Sequence, residues 1–132
     1  MLQRYFPRTI NIQITEQLIQ QYATVSEDWN PLHHSNHAAK RAGFPKRIAH
    51  GMLTMAISTQ LITPILLQQN KVERFQVKFL LPVYINDCLT ITSHLQRQSD
   101  GNTFHIQIKA LNQHAKTVMN GKMKIAPLFT NP

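Results

Sequence analysis

Gly51-Met52-Leu53-Thr54-Met55-Ala56-Ile57-Ser58-Thr59-Gln60-Leu61-Ile62 is apolar on most sides and dotted with small residues. That pattern predicts a helix buried in the middle of a domain, with Pro64 bending or ending it. The sequence that follows has a different period. Phe75, Val77, Phe79 and Leu81 alternate with Gln76, Lys78 and Leu80, and Leu89, Ile91, Ser93 and Leu95 do likewise. Both runs read as half-buried strands. Asp100-Gly101 is a hairpin signal, Phe104, Ile106, Ile108 and Ala110 continue the alternation, and a turn at 112–116 precedes a strand at 117–125. A long apolar helix followed by long antiparallel strands predicts an α+β arrangement in which a sheet wraps about that helix.

Upstream, residues 9–15 (TINIQIT) place Ile10, Ile12 and Ile14 on one face, and Thr15 stands where it can cap a helix starting at Glu16. That helix carries Leu18, Ile19, Tyr22, Ala23 and Val25 and must end before Pro31. Residues 28–33 therefore fall at a helix end and loop. Residues 32–48 are polar and rich in His, Lys and Arg, with one short helix expected near 36–42 and stopped by Gly43.

Composition narrows the class. Hydrophobic residues make up 42% of the 132 and charged residues 15%, with four Gly and seven Pro, which excludes a disordered tail, a collagen-like repeat or a coiled coil. The length suits one domain and leaves little room for a second. No apolar run is long enough for a membrane span, the N-terminus lacks the apolar core of a secretory signal, and Cys88 is alone. A reducing cytoplasm is the expected compartment.

Fourteen basic residues against six acidic ones give a net charge of +8, and after Asp28 only Glu73, Asp87 and Asp100 are acidic. Such a field favours anionic partners. Zinc-finger spacing and RNP-type aromatic motifs are absent, so nucleic acid is not the expected partner, whereas a small phosphorylated ligand fits the charge.

Two stretches can carry chemistry: Ser26-Glu27-Asp28-Trp29-Asn30-Pro31-Leu32-His33, and Ile48-Ala49-His50-Gly51-Met52-Leu53 at the start of the buried helix. In the structural reading, Asp28 accepts backbone hydrogen bonds at a chain reversal, Asn30-Pro31 is a turn dipeptide and His33 is one exposed imidazole among seven. In the functional reading, Asp and His are suited to proton transfer near neutral pH, and Gly51 offers backbone N–H groups and a helix dipole to a developing negative oxygen. A base, an acid and an oxyanion donor suffice for chemistry beside a thioester.

Together with Val77-Lys78-Phe79-Leu80-Leu81-Pro82-Val83, those two stretches resemble the MaoC-like (R)-specific enoyl-CoA hydratases in order and spacing, from about Ala23 to Leu95. The resemblance implies a hot-dog fold over residues 1–132 and a homodimer whose acyl-CoA tunnels lie near the subunit interface. It also implies reversible hydration of trans-2-enoyl-CoA to (R)-3-hydroxyacyl-CoA. The family's catalytic Asp and His fall on Asp28 and His33, and its thioester-oxygen contact falls on the N–H of Gly51. A site-lining hydroxyl matches Ser58 or Thr59, and Asn30 and His50 join them as candidate substrate contacts. His50 also reads as a hydrogen-bonding histidine at the helix start.

Three positions depart from the family pattern: Glu27 stands where many members have glycine, Ser35 where an aspartate is common, and Asn86 where Gly-Asp is usual. The 33–37 histidine cluster has no acidic or Cys partner nearby, so neither metal nor cofactor is expected. A 3-hydroxyacyl-ACP dehydratase acting on acyl-ACP, or a non-catalytic acyl-CoA-binding module, is the alternative on the same fold.

Overall fold

Side-chain alternation produces five strands, β1 (Arg8–Gln13), β2 (Asn70–Phe79), β3 (Cys88–Ser99), β4 (Thr103–Leu111) and β5 (Thr117–Pro127). In the computed structural model, which describes residues 2–99 and 101–129, they form one antiparallel sheet in the order β1-β3-β4-β5-β2. Leu89 and Ile91 of β3, Ile106 and Ile108 of β4, and Met119 and Ile125 of β5 are buried on its inner face. The turn at 112–116 forms as expected, closed by Asn112 N–H donating to the Lys116 carbonyl at 2.9 Å. In the β3–β4 hairpin Gly101 takes a left-handed φ of +75°; Asp100 lies outside the described residues.

Among the described residues there are also four α-helices, α1 (Glu16–Ser26), α2 (Asn36–Arg41), α3 (Gly51–Ser58) and α4 (Thr63–Leu66), besides short 3-10 turns. Thr15 caps α1 by accepting from Leu18 N–H at 3.2 Å, and Ser35 caps α2 through Ala38 N–H at 3.1 Å. An aspartate at position 35 would serve the same capping purpose. Leu53, Ile57, Leu61 and Ile62 join the inner face of the sheet in one core, giving the hot-dog arrangement of a sheet curled about a helix.

Several expectations need correction. The apolar stretch at 51–62 is not one helix ended by Pro64: α3 passes into a 3-10 turn (Thr59–Ile62), and Pro64 sits in the first turn of α4. Proline is tolerated there because the first helical turn needs no N–H from it. Nor is the stretch buried all round, since Met52 is 53% exposed and Ala56 and Gln60 also face outward. Val25 is exposed at the end of α1. Edge strand β2 and the residues after it leave Phe79, Leu80 and Leu81 each more than 40% exposed.

A few ties deliver the start of α3 to its place. Ala49 N–H donates to the Val83 carbonyl at 2.7 Å, and Ile85 N–H to the Arg47 carbonyl at 3.0 Å. The turn beyond is pinned by buried Asp87, whose carboxylate accepts from Tyr84 N–H at 2.8 Å, and by Asn86 in the left-handed region at φ +69°. Asparagine tolerates that conformation, which accounts for its standing there.

Candidate active site

Residues 27–33 form a stepwise local turn. Glu27 ends α1 with φ +59° and ψ +25°. Glycine takes that region without strain, whereas Glu27 holds it at the cost a side chain brings to a left-handed backbone. Asp28 accepts from Asn30 N–H at 3.2 Å, and Asn30 in turn accepts from Leu32 N–H at 3.1 Å, capping the 3-10 turn Pro31–His33. Each short polar side chain replaces a missing intrahelical partner, and the result presents Asp28 and His33 on one side.

His33 Nδ1 lies 2.7 Å from the Ile48 carbonyl, and His50 Nε2 lies 2.9 Å from the Asp28 carbonyl. A carbonyl only accepts, so each of those nitrogens carries the hydrogen in the neutral ring. His33 therefore keeps a lone pair on Nε2, and His50 keeps one on Nδ1, which is buried and has no hydrogen-bond partner among the described residues. The two rings stack with centroids 3.7 Å apart and planes at 28°, and Tyr22 packs on His50 at 5.0 Å. Burial pushes the His33 pKa below its ordinary 6.5; the Ile48 carbonyl opposes this, His50 adds to it, and the Asp28 charge opposes it. The neutral imidazole is favoured near pH 7.

One ligand atom from each of Asp28, His33 and His50 lies within 4.8 Å of the others. The nitrogens left without a hydrogen are His33 Nε2 and His50 Nδ1, so beside the Asp28 carboxylate the trio offers groups suited to proton transfer. The family resemblance already put these residues in one site; what sequence reading does not foresee is the direct bond from His50 to the Asp28 carbonyl, 22 residues away.

Gly51 opens α3, so its N–H has no intrahelical acceptor. A Cβ on Gly51 would meet the Phe79 ring at 3.3 Å, a tight approach that glycine avoids. Gly51 also walls a cleft of about 340 Å³ together with Ile48, Thr54, Phe79, Leu81 and Val118. Asp28, His33 and His50 side chains do not line that cleft; Ile48 and Gly51 connect the two regions. Thr54 was not among the expected residues, yet its hydroxyl oxygen is buried without a partner among the described residues. A hydroxyl three residues into an apolar helix was its visible signal.

The remaining expected contacts are committed elsewhere. Ser58 donates to the Met55 carbonyl and Thr59 to the Ala56 carbonyl, both at 2.6 Å, and Asn30 caps its turn. The structure thus brings together Asp28, His33, His50 and the start of α3, and gives Ser58 and Thr59 partners within their own helix. No helix among the described residues is long and apolar enough to cross a membrane.

Comparison with known proteins agrees with the fold. The family model described as MaoC like domain matches residues 3–118. Among solved structures, the chain is similar to R-hydratase PhaJ1 from Pseudomonas aeruginosa, with TM-score 0.83, 27% identity, and coverage of 92% of this chain and 79% of that one. An (R)-hydratase from A. caviae involved in PHA biosynthesis shares the fold at TM-score 0.83 and 21% identity, over 92% of this chain and 93% of that one. A mitochondrial 3-hydroxyacyl-[acyl-carrier-protein] dehydratase of Arabidopsis thaliana is 41% identical over 69 residues, 52% of this chain and 41% of that protein. Peroxisomal multifunctional enzyme type 2 of Mus musculus is 34% identical over 109 residues, 78% of this chain and 14% of that protein. The chain spans less than half the length of these two curated relatives. It belongs to the MaoC-like domain family.

Proposed function

We propose that residues 1–132 form a single hot-dog domain that acts as an (R)-specific enoyl-CoA hydratase, adding water reversibly to trans-2-enoyl-CoA. The observation that carries this reading is that one ligand atom from each of Asp28 and His33 lies within 4.8 Å of the other, with Gly51 following directly on His50, whose ring stacks on His33. A water held between the Asp28 carboxylate and the His33 Nε2 lone pair gives its oxygen to the β-carbon and one proton to the pair, which returns a proton to the α-carbon. Gly51 N–H receives the enolate-like thioester oxygen, where a donor fixed in advance is worth most. Because the pair shares its protons, base and acid are assigned jointly. Asn30, His50, Ser58 and Thr59 then act mainly by shaping the turn and helix that carry these groups. We read His50 in particular as a positioning residue: it holds the Asp28 carbonyl and lies flat on His33.

Exposed Phe79, Leu80 and Leu81 beside the Gly51 cleft support a homodimer that covers this apolar strip. A free exposed Cys88 suits a cytoplasmic setting. The test is loss of enoyl-thioester absorbance with crotonyl-CoA and longer trans-2-enoyl-CoAs. Asp28→Asn and His33→Ala are each expected to lose at least about a hundredfold in rate; wild-type inactivity at all chain lengths sinks the proposal. The Arabidopsis relative favours a second reading, dehydration of 3-hydroxyacyl groups on acyl carrier protein. Comparing kcat/KM for CoA and carrier-protein thioesters separates the two.

A further inference from the structure

The outer face of the sheet carries charge that the proposed reaction does not use. Register sets Arg97 opposite His105, His105 opposite Lys124 and Lys124 opposite Arg74, one row of four basic side chains across four strands. Lys122 stands in the next row, between Gln107 and Gln76. Like charges directly opposite one another destabilise a sheet. Glu73 offsets Lys124, at 3.1 Å, while Arg74, Arg97 and Lys122 have no hydrogen bond or ion pair from their side chains to any described residue.

Shape accompanies charge. The ladder is irregular between Val72 and Arg74 and again between Leu95 and Arg97, so a bulge adjoins each arginine. Between them opens a concavity of about 420 Å³ lined by Arg74, Arg97, Lys122, Lys124, His105 and the neighbouring glutamines. Bulges recur where a strand re-aims a side chain. Ile106 and Met123 also border it, but their side chains are buried in the core on the inner face, so an acyl chain meets mainly polar and charged groups here, and a single carboxylate would leave most of the positive charge unmatched. Guanidinium forks beside ammonium groups match the oxygens of phosphate.

We propose that this pocket binds a phosphate-bearing small molecule carrying at least two negative charges, at a site separate from the Asp28–His33 centre. His105 provides the reporter. Its pKa lies below the ordinary value because of desolvation and then the Arg97 and Lys124 charges, so a bound dianion should raise it.

The experiment titrates inorganic pyrophosphate and, separately, ADP into the full chain at constant ionic strength, following the His105 imidazole resonances by NMR. A saturable rise in the His105 titration midpoint is expected, with binding roughly tenfold weaker in Arg74→Gln and in Arg97→Gln. Lys109→Gln removes equal charge from the same face but outside the pocket, and should bind as the wild type does. Equal affinity for the two probes assigns recognition to the diphosphate itself, and tighter ADP binding adds a contribution from the nucleoside; both sustain the proposal. Absence of a saturable shift, or an equal loss in Lys109→Gln and the arginine variants, overturns it. The readout does not depend on hydration of a thioester, so the two readings fail separately.

Discussion

His50→Phe separates what holds the chain together from what aims its chemistry. Phenylalanine keeps an aromatic ring against His33 and Tyr22 but removes the 2.9 Å hydrogen bond to the Asp28 carbonyl. Losing that bond costs about 1 kcal/mol, while removing the buried, unpartnered Nδ1 recovers about 1–3 kcal/mol. Crowding from the larger ring costs about 1 kcal/mol. These contributions nearly cancel, so the melting temperature should move by no more than about 4 °C. Catalysis should not be spared. With its carbonyl released, Asp28 can drift by about 1 Å from its place beside His33, and a misplacement of that size lowers kcat by roughly tenfold to a hundredfold. His50→Gln supplies a donor in the place of Nε2 without the ring and should recover part of the lost rate. Crotonyl-CoA kinetics and thermal denaturation of both variants make the test. Wild-type kcat in the Phe variant, or a loss of rate that merely tracks a loss of stability, would refute the positioning role.

Three further outcomes are expected. Because the folded-state pKa of His33 is depressed below 6.5, the unfolded chain binds more protons in that window. Its contribution to stability is therefore complete above about pH 6.5 and declines as pH falls toward the folded value, and urea unfolding across that range should be flatter in His33→Gln. Gly121→Ala places a buried Cβ 3.1 Å from the Phe75 ring and 3.2 Å from a Val77 methyl, and should destabilise the fold by about 1–3 kcal/mol in the same assay. Leu80→Glu, on the exposed apolar strip, should weaken self-association at least about tenfold by sedimentation while leaving the melting temperature of the isolated chain nearly unchanged.

Local chemistry alone carried much of this architecture. Ile91, Ile106 and Ile108 fall on the buried face because strand side chains alternate, whatever lies beyond the sheet. Thr15, Ser35 and Asn30 cap their turns because a short oxygen next to unpaired N–H groups is the nearest available partner. Asp28, His33 and Gly51 were legible as candidates for the same reason, being residue types suited to proton transfer and oxyanion contact at fixed places in a turn and a helix start.

Tertiary structure decided what depends on separated segments meeting. Apolar content in 51–62 could not say which side of α3 meets the sheet, so exposed Met52 and the passage through a 3-10 turn into α4 were invisible to periodicity. The His50 hydrogen bond to the Asp28 carbonyl joins residues 22 positions apart, and its tautomer follows only from that contact. Basic residues scattered along four strands form one row because antiparallel register places Arg97, His105, Lys124 and Arg74 side by side. Alternation and capping depend on near neighbours, which the sequence states directly; stacking, register and pocket depend on where distant neighbours come to rest, and that is fixed only when the core closes.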